Sequence, residues 1–316
     1  MILRIGTRGS KLALTQSGWV KEQIEARYPD VQVRLVRIKT RGDKILDSPL
    51  SKIGGKGLFV KEIEDALLRQ EIDLAVHSMK DVPAILPDGL GISVFPRRED
   101  PRDALVSRGH SSIDTLPRGA LVGTGSLRRS AQLLHMRPDF HIIPMRGNVD
   151  TRLKKLDSGD LHAIVLAAAG LKRLGLSERI SHILDLETLL PAIGQGVLGL
   201  ELREGDDVVH ERLTFLNHEE TEVTIGAERA FLRKLEGGCQ VPMAAHGRLD
   251  GDQVILTGMV AELDGSVLIK DEMRGHSGDP EKVGIELAGR LLASGADRIL
   301  DRIYGMGKSP GFSDKP

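Results

Sequence analysis

The hydrophobic pattern of the first hundred residues alternates between strand and helix periodicities. Short apolar runs at 2–5 and 73–76, and a stretch at 31–38 that is apolar at every second position, predict strands. Longer segments at 11–27, ended by Pro29, and at 58–69 predict helices. Residues 43–57 are rich in Gly, Lys and Ser and have no period, which predicts a mobile loop. Strands separated by helices predict a parallel sheet in an α/β fold.

One unit of this pattern occurs twice. IGTRGSKLALTQS at 5–17 is echoed by VGTGSLRRSAQLL at 122–134. Each unit predicts a strand, a Gly-Thr turn and a helix, with Ser10 and Ser126 at the N-cap positions. The second unit continues through predicted strands at 140–143 and 163–166. The repeat therefore predicts two similar α/β lobes.

The pattern changes after Thr221. A predicted helix at 227–235 runs into GGCQVP, and the short alternating runs that follow are separated by Asp-Gly pairs typical of hairpins. An amphipathic segment at 280–294 predicts a final helix, so this part reads as a small α+β domain with an antiparallel sheet. The predicted division is residues 1–96 with 197–216 for lobe 1, 97–196 for lobe 2, and 217–316 for the C-terminal domain.

Composition narrows the function classes. Lys plus Arg (44) nearly equals Asp plus Glu (45), and aromatic residues are 3% of the chain, a balance that argues against a nucleic-acid partner. No apolar segment reaches the length of a membrane span, MILRIGTRGS has no leader pattern, and one cysteine cannot form an internal disulfide or a multi-cysteine zinc site. We therefore expect a cytoplasmic protein with no membrane partner and no metal.

GQGVLG at 194–199 matches the dinucleotide-binding pattern G-x-G-x-x-G. The motif leads into the strand-like LGLEL, whereas a nucleotide-binding loop leads into a helix. We interpret its glycines as allowing the chain to cross closely between the lobes.

Arginines lie at the predicted strand-to-helix turns. Arg8 is in the first turn, and Arg128 and Arg129 begin the second helix. The helix macrodipole disfavours cations at an N-terminus, and a bound anion removes that conflict. The alternative is that these side chains are solvated. Arg146 and Arg152 either extend the basic surface or form surface salt bridges. Guanidinium groups on separate elements suit several carboxylates of one extended ligand.

Two further positions carry reactive groups. Lys80 and Asp81 follow the strand at 73–76, where ligands of α/β sheets bind, and Asp81 can stabilise positive charge or accept a proton. The alternative is a mutual ion pair at a turn, and His77 is interpreted as a structural histidine. Cys239 follows two glycines in a loop, so it is either an attached or reactive thiol or a small buried hydrophobic residue.

Seven segments together resemble the porphobilinogen deaminase (hydroxymethylbilane synthase) family over essentially the whole chain. They are IGTRGSKLALTQ, DLAVHSMKDVP, GTGSLRRSAQL, RGNVDTRLKKLD, LAAAGLKRLGL, PAIGQGVLGLE and AERAFLRKLEGGCQVP. The resemblance implies two periplasmic-binding-protein-like (type II) lobes with a small α+β C-terminal domain, in a monomer. It also implies a dipyrromethane cofactor bonded through a thioether to Cys239, which primes the head-to-tail condensation of four porphobilinogen units with loss of ammonia. The growing oligopyrrole chain is then released as hydroxymethylbilane, a precursor in haem biosynthesis.

The resemblance also implies roles for individual residues. Asp81 matches the catalytic aspartate of the family. The positions that match its cofactor- and substrate-binding residues are Arg8, Ser10, Lys80, Thr124, Ser126, Arg128, Arg129, Arg146 and Arg152, with Gln16, Lys56 and Gln195 as further candidates. The loop at 43–57 matches one that covers the cleft. Gly125 departs from the family, which often has serine there, so one hydroxyl donor is expected to be missing, and Ser126 and the neighbouring backbone N–H groups are expected to compensate.

Two other functions fit parts of the pattern. A solute-binding protein of the same two-lobed fold would need an export signal or lipid anchor. A phosphoribosyltransferase would need an acidic ribose-binding strand before a phosphate loop. Neither accounts for Cys239.

Overall fold

The computed structural model describes residues 1–44, 57, 59–235 and 241–306. Cys239, Lys56 and nearly all of the predicted loop at 43–57 lie outside these ranges. The strands within them are β1 (Ile2–Thr7), β2 (Gln32–Arg37), β3 (Leu74–Ser78), β4 (Leu90–Val94), β5 (Asp103–Ser107), β6 (Leu121–Thr124), β7 (His141–Pro144), β8 (Ala163–Ala167), β9 (His182–Leu184), β10 (Leu198–Arg203), β11 (Met243–Asp250), β12 (Gln253–Ala261) and β13 (Leu268–His276). The helices are α1 (Lys11–Arg27), α2 (Arg41–Lys44), α3 (Lys61–Leu68), α4 (Leu127–Met136), α5 (Val149–Asp157), α6 (Ala168–Arg173), α7 (Asp207–Glu211), α8 (Glu219–Lys234), α9 (Pro280–Leu291) and α10 (Asp297–Met306).

The first sheet has the strand order β2-β1-β3-β10-β4. β1 pairs in parallel with β2 and β3, while β10 is antiparallel to both β3 and β4. The prediction of purely parallel pairing is therefore wrong for one strand. β10 follows the second lobe in sequence, so the chain enters the first sheet from the cleft side and runs in the opposite direction.

The second sheet repeats this plan with the order β7-β6-β8-β5-β9. β6 is parallel to β7 and β8, and β5 is the antiparallel strand. β1 with α1 and β6 with α4 occupy equivalent places, which confirms the predicted repeat. In each sheet, the antiparallel strand is the one that the chain enters after crossing from the other lobe. This is the topology of type II periplasmic-binding-protein lobes.

The lobes are joined by two crossing segments, residues 95–102 and 194–197. Gly196 has φ +86°, and a Cβ atom there would lie 2.3 Å from the carbonyl oxygen of Glu99 in the other crossing. A Cβ at Gly194, which has φ +73°, would lie 2.8 Å from Cβ of Met79. Only glycine fits these contacts without displacement, and this agrees with our interpretation of GQGVLG as a close crossing.

The C-terminal domain packs α8 and α9 against the antiparallel sheet β11-β12-β13. The Asp-Gly pairs lie in its two hairpin connections, as predicted. α8 begins at Glu219, eight residues before the predicted start, because His218 caps it and three glutamates occupy its first turn. The α8 carboxylate of Glu228 accepts hydrogen bonds from Gly194 N (2.7 Å) and Arg98 Nη1 (2.5 Å), so this helix is fixed to both crossing segments. No helix in the described ranges is long and apolar enough to span a bilayer.

Candidate active site

Two serine-capped helices begin at the carboxyl ends of equivalent strands. Ser10 Oγ accepts a hydrogen bond from Ala13 N (3.2 Å) at α1, and Ser126 Oγ accepts one from Arg129 N (3.4 Å) at α4. Thr124 Oγ1 accepts from Ser126 N (3.2 Å), which orders the turn before α4. Both predicted N-caps are confirmed. Each places a helix N-terminus, with its favourable potential for anions, at the cleft end of its sheet.

Arg128 and Arg129 converge on one buried carboxylate. Asp103, at the start of β5, is fully buried and pairs with Arg128 Nη1, while Arg129 donates to Asp103 Oδ1 from Nε (3.0 Å) and Nη2 (2.7 Å). The two arginines are 4% and 5% exposed. The solvated alternative is therefore wrong. The guanidinium groups are held inside the second lobe, directly behind the start of α4.

Gln195 from the second crossing segment completes this cluster. Its side-chain Nε2 donates to Asp103 Oδ1 (2.9 Å) and to Pro101 O (2.7 Å), and the side chain is fully buried. Burial alone would raise the pKa of Asp103, but the charges and hydrogen bonds of Arg128 and Arg129 more than offset it and hold the pKa well below its usual range. Asp103 is therefore ionised at neutral pH, and the cluster keeps one net positive charge.

Lys80 and Asp81 lie in a single 3₁₀ turn, Met79–Asp81, that follows β3. Burial, together with the charges of Arg129 and Arg128, lowers the pKa of Lys80 to about 8, although Asp81 and Asp103 oppose them. The first-lobe turn therefore lies close enough to the second-lobe arginines for their charges to act on Lys80. Within the part of the chain that the structure describes, neither Lys80 nor Asp81 has a hydrogen-bond or ion-pair partner for its side chain. The mutual ion pair is not formed among those residues.

Arg152 and Arg146 bring further positive charge to the same place. Arg152 Nε donates to Gly147 O (2.9 Å). Burial and the charges of Arg129 and Arg146 together lower the pKa of Arg152 to about 10, although Asp81 of the other lobe opposes them. Arg146 Nη1 is buried and has no hydrogen-bond partner among the described residues. A buried donor of this kind is costly unless a ligand completes it.

The charges in the cleft are unequal. The cationic side chains Lys80, Arg128, Arg129, Arg146 and Arg152 face two carboxylates, Asp81 and Asp103. This excess, with an orphaned guanidinium nitrogen and two helix N-termini, fits a ligand that carries several carboxylates along its length, as a dipyrromethane with acetate and propionate groups does.

The structure gives a steric reason for glycine at position 125, which the sequence alone does not show. A Cβ atom at this position would lie 2.2 Å from the carbonyl oxygen of Met145. The expectation that only a hydroxyl donor is missing is therefore incomplete, because a serine would require this backbone to move.

The other predicted residues lie as follows. The Arg8 guanidinium lies 4.2 Å from the centre of the Phe59 ring, and Gln16 is buried on α1 at 6% exposure. Lys56 and Cys239 fall outside the described ranges. Asp103 was missed by sequence analysis. Its only signal is an acidic residue at the start of the apolar run DALV, which does not show that two arginines converge on it.

Comparison of the sequence with protein families and with curated relatives identifies one family along the chain. A family model described as porphobilinogen deaminase, dipyromethane cofactor binding domain, matches residues 3–211, and the C-terminal domain model of the same family matches residues 223–293. Porphobilinogen deaminases of Pelobacter propionicus and Geobacter metallireducens are each 56% identical over 302 residues, which cover 96% of this chain and 97% and 95% of the relatives. That of Syntrophotalea carbinolica is 58% identical over 298 residues, 94% of this chain and 95% of the relative.

Solved structures with similar lobes are more distant. The BvgS VFT2 domain of Bordetella pertussis aligns with 67% of this chain and 84% of its own at a TM-score of 0.41 and 15% identity. A TRAP periplasmic solute binding protein from Desulfovibrio salexigens aligns with 70% of this chain and 74% of its own at a TM-score of 0.44 and 14% identity. The family assignment rests on the sequence matches, which extend over both lobes and the C-terminal domain: the chain belongs to the porphobilinogen deaminase family.

Proposed function

We propose that the chain catalyses the porphobilinogen deaminase reaction in the cleft between its lobes, with Asp81 as the catalytic carboxylate. The observation that carries these roles is the convergence on one place of Lys80 and Asp81 from the first lobe and Arg146 and Arg152 from the second. The dipyrromethane cofactor, when bound, supplies the nucleophilic pyrrole carbon to which the first porphobilinogen unit is joined.

Lys80, Arg146 and Arg152 are the proposed direct ligands of the pyrrole carboxylates. None of the three has a carboxylate within ion-pair distance in the part of the chain that the structure describes, so their charges are available. Arg128 and Arg129 are already bound to Asp103. They support the site through their net charge and through the fixed start of α4.

Asp81 is proposed to stabilise positive charge on the reacting pyrroles. In each condensation the C–N bond of the substrate's aminomethyl group breaks, ammonia leaves, a C–C bond forms, and a proton is lost from the attacking carbon. Positive charge develops on a ring nitrogen before that proton leaves. A carboxylate with no cation bound to it can accept the ring N–H hydrogen bond at this stage, and this is the arrangement of Asp81 among the described residues.

The attachment of the cofactor to Cys239 rests on the GGCQVP match. α8 ends at Lys234, five positions before this cysteine, and Arg229 on α8 donates a hydrogen bond from Nη2 to Pro83 O (2.9 Å). Leu235 and Val241, which flank residues 236–240, are 2% and 3% exposed and belong to the core of the C-terminal domain. The Arg229 hydrogen bond joins this domain to the segment that follows Asp81, and this supports a cofactor that reaches the cleft from the C-terminal domain.

Intact-mass measurement tests the cofactor proposal. The purified chain should carry an additional mass equal to two pyrrole units, and Cys239→Ser should lack it. An active preparation with an unmodified thiol would refute the attachment.

Asp81→Asn tests the catalytic role. This variant should keep the additional mass and lose at least about 100-fold in kcat, the order that one electrostatic stabiliser supplies. Asp88→Asn is the matched control, since Asp88 is an exposed carboxylate of the same connection, and it should retain the full rate. Equal rates for the two variants would remove Asp81 from the mechanism.

We also propose the three-part division 1–96 with 197–216, 97–196 and 217–316, supported by the pairing of β10 within the first sheet. A cytoplasmic monomer remains our prediction, and light scattering during size-exclusion chromatography measures the oligomeric state.

A further inference from the structure

A cluster of buried titratable groups lies beneath the first-lobe sheet, outside the cleft. It consists of Glu64 on α3, His77 on β3 and Glu201 on β10, which are 6%, 5% and 1% exposed. His77 Nε2 lies 2.8 Å from Glu201 Oε2, so His77 has a structural partner, as the sequence interpretation expects. We call these three residues the acid–histidine cluster.

The cluster joins the two central strands of the sheet. β3 and β10 are antiparallel, with His77 opposite Gly199 and Ala75 opposite Glu201. His77 and Glu201 are therefore diagonal neighbours on one face, the face that α3 covers. The contact between His77 and Glu201 fixes β3 against β10, and His77 lies four residues before Asp81 in the chain.

Glu201 is not fully satisfied by His77. Its second oxygen, Oε1, is buried and has no hydrogen-bond partner among the described residues. The His77 ring from β3, the Arg229 guanidinium from α8 and the Glu64 carboxyl from α3 all interact with this carboxylate. A buried carboxylate of this kind attracts any cation within reach, because the interior screens charge weakly.

Arg229 connects this charge to the segment that follows Asp81. Its Nη2 donates to Pro83 O (2.9 Å) and Ala84 O (3.3 Å). Burial and the charge of Arg233 together lower the pKa of Arg229 to about 10, although Glu201 opposes them. Glu201 thus stabilises the cation that holds the Pro83–Ala84 carbonyls.

The turn that carries Asp81 therefore lies between two groups that interact with Glu201: His77, which contacts it directly, and Arg229, whose positive charge it stabilises. Met79, within the turn, donates its N–H to Val197 O (3.0 Å), and a Cβ at Gly199 would lie 2.2 Å from Met79 Sδ, so the turn packs directly on β10, the strand that carries Glu201. We propose that Glu201 is a positioning residue for Asp81, acting through His77 on the strand before it and through Arg229 on the segment after it. This inference rests on the catalytic role proposed above for Asp81.

Glu201→Gln tests the inference, because it keeps the side-chain shape and removes the charge. We expect kcat to fall about tenfold or more, since a small displacement of a catalytic group has this effect. KM for porphobilinogen should change less than about twofold, because the cationic ligands of the cleft are untouched, and the intact mass should still include the cofactor. Glu25→Gln is the matched control: Glu25 is a part-buried carboxylate of the same lobe that accepts from Val33 N (2.9 Å) near the start of β2, and this variant should keep both constants.

A second variant covers the case in which Glu201→Gln does not fold. Arg229→Lys keeps the charge near Glu201 but loses the guanidinium hydrogen bonds to Pro83 and Ala84, and it should also lower kcat while leaving KM unchanged. A wild-type kcat in either folded variant would overturn the inference, as would a rise in KM without a fall in kcat. If Asp81→Asn is inactive while Glu201→Gln is fully active, only this inference fails. If Asp81→Asn is active, the catalytic role itself fails.

Discussion

Glu64→Gln should remove a pH dependence of stability that one buried carboxyl gives the first lobe. Burial, the charge of Glu201 and, more weakly, Asp65 raise the pKa of Glu64 from 4.5 to about 7, although His77 and Lys61 oppose them. The folded protein therefore holds this proton more tightly than the unfolded chain does. The stability that the protonated carboxyl contributes is fully present below pH 4.5 and is lost as the pH rises through 7.

The size of the effect follows from the shift. Each pH unit corresponds to about 1.4 kcal/mol, so a displacement from 4.5 to about 7 lowers the free energy of unfolding by about 3 kcal/mol between pH 4.5 and pH 8. Glutamine has a similar shape and does not titrate. The free energy of unfolding of Glu64→Gln, minus that of the wild type, should thus increase by about 3 kcal/mol over the same interval.

Urea unfolding at pH 5 and pH 8 measures this difference. Trp19 is the single tryptophan, lies on α1 and is 40% exposed, so its fluorescence reports on the first lobe rather than on the whole chain. Glu71→Gln is the control, because Arg69 holds the pKa of that exposed carboxyl below its usual value and the small effect should have the opposite sign. Parallel stability curves for wild type and Glu64→Gln would refute the reasoning.

Three further predictions concern the cleft. KM for porphobilinogen should rise several-fold as the pH increases above about 8, where Lys80 loses its charge, and initial rates should show that Lys80→Arg keeps KM constant to pH 9. Asp103→Asn should lower the free energy of unfolding by about 3 to 5 kcal/mol, because two buried guanidinium groups lose their carboxylate, and calorimetry should record the lower Tm. Gly125→Ser should also lower Tm, by an amount equivalent to about 1 to 3 kcal/mol, because its Cβ would meet the Met145 carbonyl at 2.2 Å; an unchanged Tm would contradict the steric argument.

The sequence predicts those parts of the site that depend on local rules. Ser10 and Ser126 are recognisable as N-caps because a cap needs a short polar side chain directly before a helix, and the structure has both hydrogen bonds. The α1 helix has its predicted bounds, Lys11–Arg27, for the same local reason.

The remaining features depend on which distant residues meet. Nothing near Asp103 in sequence indicates that it binds Arg128 and Arg129, which are about 25 positions away. The direction of β10 depends on the order in which the chain visits the two lobes, and a strand pattern carries no information on direction.

The contacts of Asp103 with Arg128 and Arg129 distinguish two roles for the cations of the cleft. Some supply a buried positive field and others are available to bind a ligand, and the position of the arginines in the sequence does not distinguish them. If Arg128 and Arg129 served only as ligands of carboxylates, the empty cleft would contain two buried, uncompensated guanidinium charges, and each such charge costs several kcal/mol. Asp103 stabilises both before any ligand binds, and it does so from a strand of the same lobe, so the compensation does not depend on closure of the cleft. In the function that we propose, direct binding then falls to the cations that have no carboxylate of their own among the described residues, which are Lys80, Arg146 and Arg152. Under these proposed roles, the buried charges of Arg128, Arg129 and Asp103 give the cleft the same positive field at every length of the oligopyrrole, whichever carboxylates Lys80, Arg146 and Arg152 contact.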